Sequence, residues 1–119
     1  MEIEGFNNNS QDVSINGNSV IIEVITENFM SDVIERSKET PVIVDFWAPW
    51  CEPCKQLTPV IEKIVKEKNG NVILAKMNID ESPEVAQQLK IQSIPAVMAF
   101  SDGQPVDGFI GVQPEKNIA

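Results

Sequence analysis

The chain has 119 residues, the size of one domain, and its 42% apolar content is enough for a single core. A net charge of −9, from 18 acidic and 9 basic residues with no Lys/Arg cluster, argues against nucleic acid and membrane surfaces as partners. Two cysteines and no histidine remove Ser-His-Asp and Cys-His catalysis and leave too few ligands in one chain for a closed zinc site.

Met1 to Asn18 is rich in Asn, Ser and Gly and reads as a flexible tail, with the domain proper expected over 19–119. This start has neither the basic nor the apolar region of a secretory signal, so the cytoplasm is the expected location. Val20 to Thr26 is β-branched and predicts a strand. Thr26 or Asn28 can cap a helix whose apolar face is Phe29, Met30, Val33 and Ile34, ending near Glu39 before Pro41. Pro41 to Trp47 is an almost unbroken apolar run, the mark of a central strand covered on both faces. A long helix is predicted from about Cys51 to Lys68, with Leu57, Val60, Ile61, Ile64 and Val65 on one side and Asn69-Gly70 as its stop. Asn71 to Ile79 reads as a second buried strand. Ser82 and Pro83 mark a further helix, with Ser82 as cap and Val85, Ala86 and Leu89 facing inward. Ala96 to Ser101 and Pro105 to Gly111 read as a hairpin turning at Asp102-Gly103. Together these predict an α/β fold: a mixed central sheet flanked by helices. Pro114 opens what looks like one more helix, but only five residues follow, so a truncated or missing C-terminal helix is expected.

The segment WAPWCEPCK, Trp47 to Lys55, carries the chemistry. Two cysteines three apart at a helix start lie one turn apart, close enough to form a disulfide. Cys51, at the exposed helix tip, is expected to be the thiolate, because free N–H groups and the helix dipole favour an anion there. Cys54, one turn in, is expected to be more buried and to displace Cys51 from a mixed disulfide. Electrons then reside on sulfur, and no cofactor is called for. Asp45 interrupts a buried strand, which is costly unless the carboxyl is paired or protonated. It reads either as the proton acceptor for Cys54, with Lys76 of the neighbouring strand as its ion-pair partner, or as a residue at an exposed edge. Pro95 follows Ile94 immediately before a strand, where either isomer fits. A cis bond would present the Ile94 backbone for strand-like pairing with a peptide. Trp50 offers a flat apolar contact beside Cys51.

Those residues identify a family. VDFWAPWCEPCK, the KMNID strand end at Lys76, SIPAVMAF with Pro95, and the closing hairpin to Gly111 resemble thioredoxin, over about Ser19 to Val112. The resemblance implies the thioredoxin fold, a cis Pro95 against the two cysteines, and Asp45 buried behind Cys54. It also implies protein disulfides as substrates, a groove of Trp50, Ile94, Pro95 and Val112, and resetting by an NADPH-dependent thioredoxin reductase. Glu52 and Pro53, between the cysteines, are expected to tune the redox chemistry. Glu52 stands where common thioredoxins have Gly, and its charge is expected to make the Cys51 thiol less acidic. A narrower resemblance, over Asp102 to Glu115, is to chaperedoxins, which implies as an alternative the redox-linked domain of a chaperone that binds unfolded clients.

Overall fold

The computed structural model describes residues 20–114. The expected tail over 1–18 and the segment beyond Pro114, where a truncated or missing C-terminal helix is expected, lie outside the described residues. Five strands form one sheet in the order β1-β3-β2-β4-β5. They are β1 Ile21–Glu23, β2 Val42–Trp47, β3 Ile73–Asn78, β4 Ala96–Ser101 and β5 Gln104–Ile110. β3 runs parallel to β1 and to β2, and β4 runs antiparallel to β2 and β5. This is the mixed sheet expected from alternating strands and helices followed by a hairpin.

The period-two alternation of the strands sorts two cores onto opposite faces. Val42, Val44 and Phe46 of β2, with Ile73, Ala75 and Met77 of β3, face one way, against Val33, Val85 and Ala86. Leu74 and Val97 face the other way, against Leu57, Ile61 and Val65. The second face is covered by α2, Glu52–Glu67. The same alternation puts Asp45 and Lys76 on the α2 side, paired in register across β2 and β3.

The elements differ from the sequence reading at their ends. β1 holds only three residues and is an edge strand bonded to β3 alone. The first helix begins as α1, Thr26–Phe29, and continues through a π segment, Met30–Glu35, to a 3₁₀ turn, Arg36–Lys38. Asn28 acts at its start, the Ile25 N–H donating to Asn28 Oδ1 at 2.7 Å. The final 3₁₀ turn carries buried Ser37, whose carbonyl accepts the Asp102 N–H at 2.9 Å and whose hydroxyl oxygen accepts the Gly103 N–H at 2.8 Å. Those two N–H groups belong to the hairpin turn between β4 and β5. Asp102 and Gly103 both have positive φ (55° and 83°), as a two-residue hairpin turn that follows the strand twist requires.

The helix α3, Pro83–Gln88, follows Ser82 as expected, but the Ser82 hydroxyl does not cap it. Its oxygen accepts the Thr26 N–H at 3.1 Å, satisfying a free donor in the first turn of α1. One buried serine therefore ties α1 to the start of α3, an arrangement that no local cap pattern could reveal. No helix among the described residues is long and apolar enough to cross a membrane.

Gly108 of β5 lies close against the backbone of β4. A Cβ there would stand 2.9 Å from the Val97 carbonyl oxygen. Gly108→Ala is therefore expected to force the two strands apart and cost about 1–3 kcal/mol. A lower urea midpoint with an unchanged slope checks this.

Candidate active site

The strand β2 ends at Trp47, and the chain turns through Ala48, Pro49 and Trp50 into α2. Cys51 is the N-cap of α2, in extended conformation (φ −91°, ψ 100°), and Pro53 occupies the first helical turn, where its missing N–H costs nothing. The Cys54 N–H donates to Cys51 Sγ at 3.2 Å. The sulfur thus fills the place of a capping oxygen and receives one of the four free donors of the helix. Cys51 and Cys54 are joined in a disulfide, with Cα atoms 5.3 Å apart.

Burial separates the two sulfurs less than expected. Cys51 is 4% exposed and Cys54 2%, so in the disulfide form Cys51 is not at an open tip. The asymmetry lies in the backbone instead. Cys51 stands outside the helix and accepts its N–H, whereas Cys54 is within it.

Asp45 is wholly buried, which excludes the exposed-edge reading. Its Oδ2 accepts the Thr58 hydroxyl at 2.8 Å, and its Oδ1 has no hydrogen-bond partner among the described residues. Burial pushes the carboxyl above its ordinary value of 3.8, against the lowering effects of the Thr58 hydrogen bond and the Lys76 charge, with Glu62 adding a small push upward.

The expected Asp45–Lys76 ion pair does not form. The Lys76 ammonium donates to Glu62 Oε2 at 3.1 Å and lies 4.0 Å from Glu23 Oε2. The two Cα positions are in register, but the lysine stem carries its charge past the buried carboxyl toward carboxylates that keep some contact with water. Lys76 acts on Asp45 through its field alone. A cleft of about 290 Å³, lined by Trp47, Cys54, Thr58, Glu62 and Lys76 among others, opens beside these groups.

Trp50 is 64% exposed and Val112 48%. The Trp50 ring is nevertheless held, because its indole N–H donates to Asp80 Oδ1 at 3.1 Å. The Ile94–Pro95 bond is cis. Pro95 is buried, Ile94 half-buried against the larger core, and the Pro95 carbonyl accepts the Gly111 N–H at 2.8 Å, next to Val112. Glu52 and Pro53 are exposed, and Glu52 Oε2 accepts from the Lys55 ammonium at 2.9 Å.

Three side chains of this site had no assigned role in the sequence reading: Thr58, Glu62 and Asp80. The first two carry a faint signal. They fall four and eight residues after Cys54, so they continue its helix face as polar interruptions beside an apolar stripe. Asp80 closes the KMNID segment, but its bond to Trp50 joins residues 30 apart and no local pattern announces it.

The buried carboxyl gives the site a pH signature. A carboxyl whose folded pKa is raised adds no penalty below 3.8, where it is protonated both folded and unfolded, and costs stability as pH rises through the raised value. Asp45→Asn is thus expected to match the wild type in acid and to exceed it in stability at neutral pH, checked by denaturation midpoints across that range.

Comparison with known proteins gives the same assignment as the geometry. The thioredoxin family model matches residues 20–119. Thioredoxin 1 of Synechococcus elongatus is 45% identical over 85% of this chain and 92% of its own length. Thioredoxin of Rickettsia felis is 45% identical over 80% of this chain and 89% of its own length. A bifunctional thioredoxin reductase/thioredoxin of Mycobacterium leprae is 43% identical over 79% of this chain, which spans 20% of that longer protein. These relatives are thioredoxins matched over about nine-tenths of the length of the first two, and the chaperedoxin alternative is not favoured. With a disulfide-joined C-x-x-C pair at the start of α2, a buried carboxyl under that helix and a cis proline before β4, the chain belongs to the thioredoxin family.

Proposed function

We propose that this protein reduces disulfide bonds in other proteins by thiol–disulfide exchange through Cys51 and Cys54. The observation that carries the reading is the Cys51 sulfur at the N-cap of α2, accepting the Cys54 N–H. In the reduced protein the same donor and the helix dipole favour the Cys51 thiolate. That thiolate attacks one sulfur of a substrate disulfide. A Cys51–substrate bond forms, the substrate S–S bond breaks, and its other sulfur leaves as a thiolate. Asp45 then takes the proton of Cys54. The Cys54 thiolate attacks Cys51, the Cys51–substrate bond breaks, and the second substrate sulfur departs with the electron pair. The substrate is reduced by two electrons, and the protein is left in the disulfide form seen here.

The fixed Trp50 ring, Ile94, Pro95 and Val112 supply the contacts for an extended substrate segment. Support for this comes from the exposure of Trp50 and Val112 and from the hydrogen bond between the Pro95 carbonyl and the Gly111 N–H. A thioredoxin reductase drawing on NADPH resets the disulfide. The Mycobacterium leprae relative, named as both reductase and thioredoxin, supports this pairing of activities. The reaction is set in the cytoplasm, where thiols are kept reduced.

Insulin reduction followed by turbidity tests the reading. Cys51→Ser is expected to abolish the activity, and a rate equal to wild type would reject the proposal. Cys54→Ser is expected to trap substrates as stable mixed disulfides on Cys51, visible on non-reducing gels.

Glu52 modulates the same sulfur. Its charge sits beside Cys51, and the pair with Lys55 is solvent-exposed, so Lys55 offsets it only in part. Glu52→Gly is expected to make the Cys51 thiol more acidic, read as alkylation of Cys51 at lower pH than in the wild type.

A further inference from the structure

Thr58 takes no part in the exchange steps, yet it makes the one hydrogen bond of the Asp45 carboxyl among the described residues. It follows Cys54 by four residues in α2, so the two side chains leave one helix face a turn apart. Both line the cleft beside Trp47. A helical threonine often turns its hydroxyl onto the carbonyl one turn back. This one reaches across to the sheet, and its Oγ1 donates to Asp45 Oδ2 at 2.8 Å.

We propose that Thr58 is a positioning residue for the resolving step: its hydroxyl holds Oδ2 of Asp45 and leaves Oδ1 as the oxygen that takes the Cys54 proton. The inference rests on the reading of Asp45 as proton acceptor. A carboxyl is loosely held about its last torsion, and in a buried site with no other hydrogen bond it has no fixed basic oxygen. The hydroxyl bond supplies the missing constraint and survives the transfer, because Thr58 can donate both to a carboxylate and to the carbonyl oxygen of a carboxylic acid.

The neighbouring charges do not do this work. From β3, the Lys76 ammonium is bonded to Glu62 of α2 and leans toward Glu23 of β1. From β4, the residue in register with Asp45 is Val97, which is apolar. From α2, Glu62 opposes ionisation of Asp45, and the Thr58 hydroxyl favours it against burial. One helix thus carries the thiol that gives up the proton and the hydroxyl that aims its acceptor.

The test compares wild type, Thr58→Val, Thr58→Ser and Asp45→Asn in the reduced state. Two measurements are made: the Asp45 carboxyl carbon titration by NMR, and insulin reduction against pH. Thr58→Val keeps the shape and loses the donor, and is expected to move the Asp45 titration and the acid limb of the rate profile up by about one pH unit, the scale of one charge-assisted hydrogen bond. Thr58→Ser is expected to restore both. Asp45→Asn is expected to remove the limb. Coincident titrations for wild type and Thr58→Val, with Asp45→Asn still removing the limb, would overturn the Thr58 role alone. A limb that persists in Asp45→Asn would overturn the Asp45 reading and the Thr58 role with it.

Discussion

The arrangement depends on α2 lying across one face of the sheet with its first turn just past the end of β2. The connection from Trp47 to Cys51 is short. It brings free N–H donors to the C-terminal end of a central strand, the end at which ligands of open α/β sheets are usually met. The apolar stripe of Leu57, Ile61 and Val65 fixes the helix by packing on Leu74 and Val97. Once that stripe is buried, the rotation of the helix is set. Beside the stripe, Thr58 and Glu62 then meet what β2 and β3 present on that face, namely Asp45 and Lys76, and Cys54 stands one helical turn before Thr58. The redox turn and the buried carboxyl are therefore not separate features, since one packing decision places both.

Charge on this face is managed by partial pairing. A carboxyl with no exposure would ordinarily be bonded on both oxygens or joined to a cation. Here one oxygen has a hydroxyl and the other has nothing among the described residues. Lys76 contributes field but not contact, because Glu62 holds its ammonium closer to water. A full ion pair would hold the carboxyl ionised and so weaken it as a base. The observed arrangement leaves one oxygen hydrogen-bonded and lets burial raise the pKa of the carboxyl, at a cost in stability whenever it is charged. Carboxyls whose pKa is raised by burial cluster at functional sites.

The two cysteines show a related economy. The disulfide closes within one helical turn, and the backbone donor that the helix would otherwise leave free is directed at Cys51. The sulfurs are alike in burial and unlike in hydrogen bonding. Their difference is carried by the helix N-terminus, an electrostatic asymmetry that needs no difference in accessible surface.

The sequence by itself determined the local signals. The β-branched and apolar runs placed β2, β3 and β4 to within a residue or two. Pro83 after Ser82, Asp102-Gly103 and the C-x-x-C spacing each carried a backbone consequence in their own chemistry. Asp45 stood out because a carboxyl within an apolar strand is costly to bury, and the packed sheet then settled that it is interior. Tertiary structure decided whatever depended on the far end of a side chain. Ser82 looks like the cap of α3, yet its hydroxyl serves α1. Lys76 is in register with Asp45, yet its ammonium goes to Glu62. Thr58 is one polar residue beside an apolar stripe until the helix is docked, and only then does its hydroxyl find the carboxyl of a strand 13 residues earlier. Propensity and spacing act over a few residues along the chain. Hydrogen bonds of buried groups are settled by whichever partner the packed elements bring within about 3 Å.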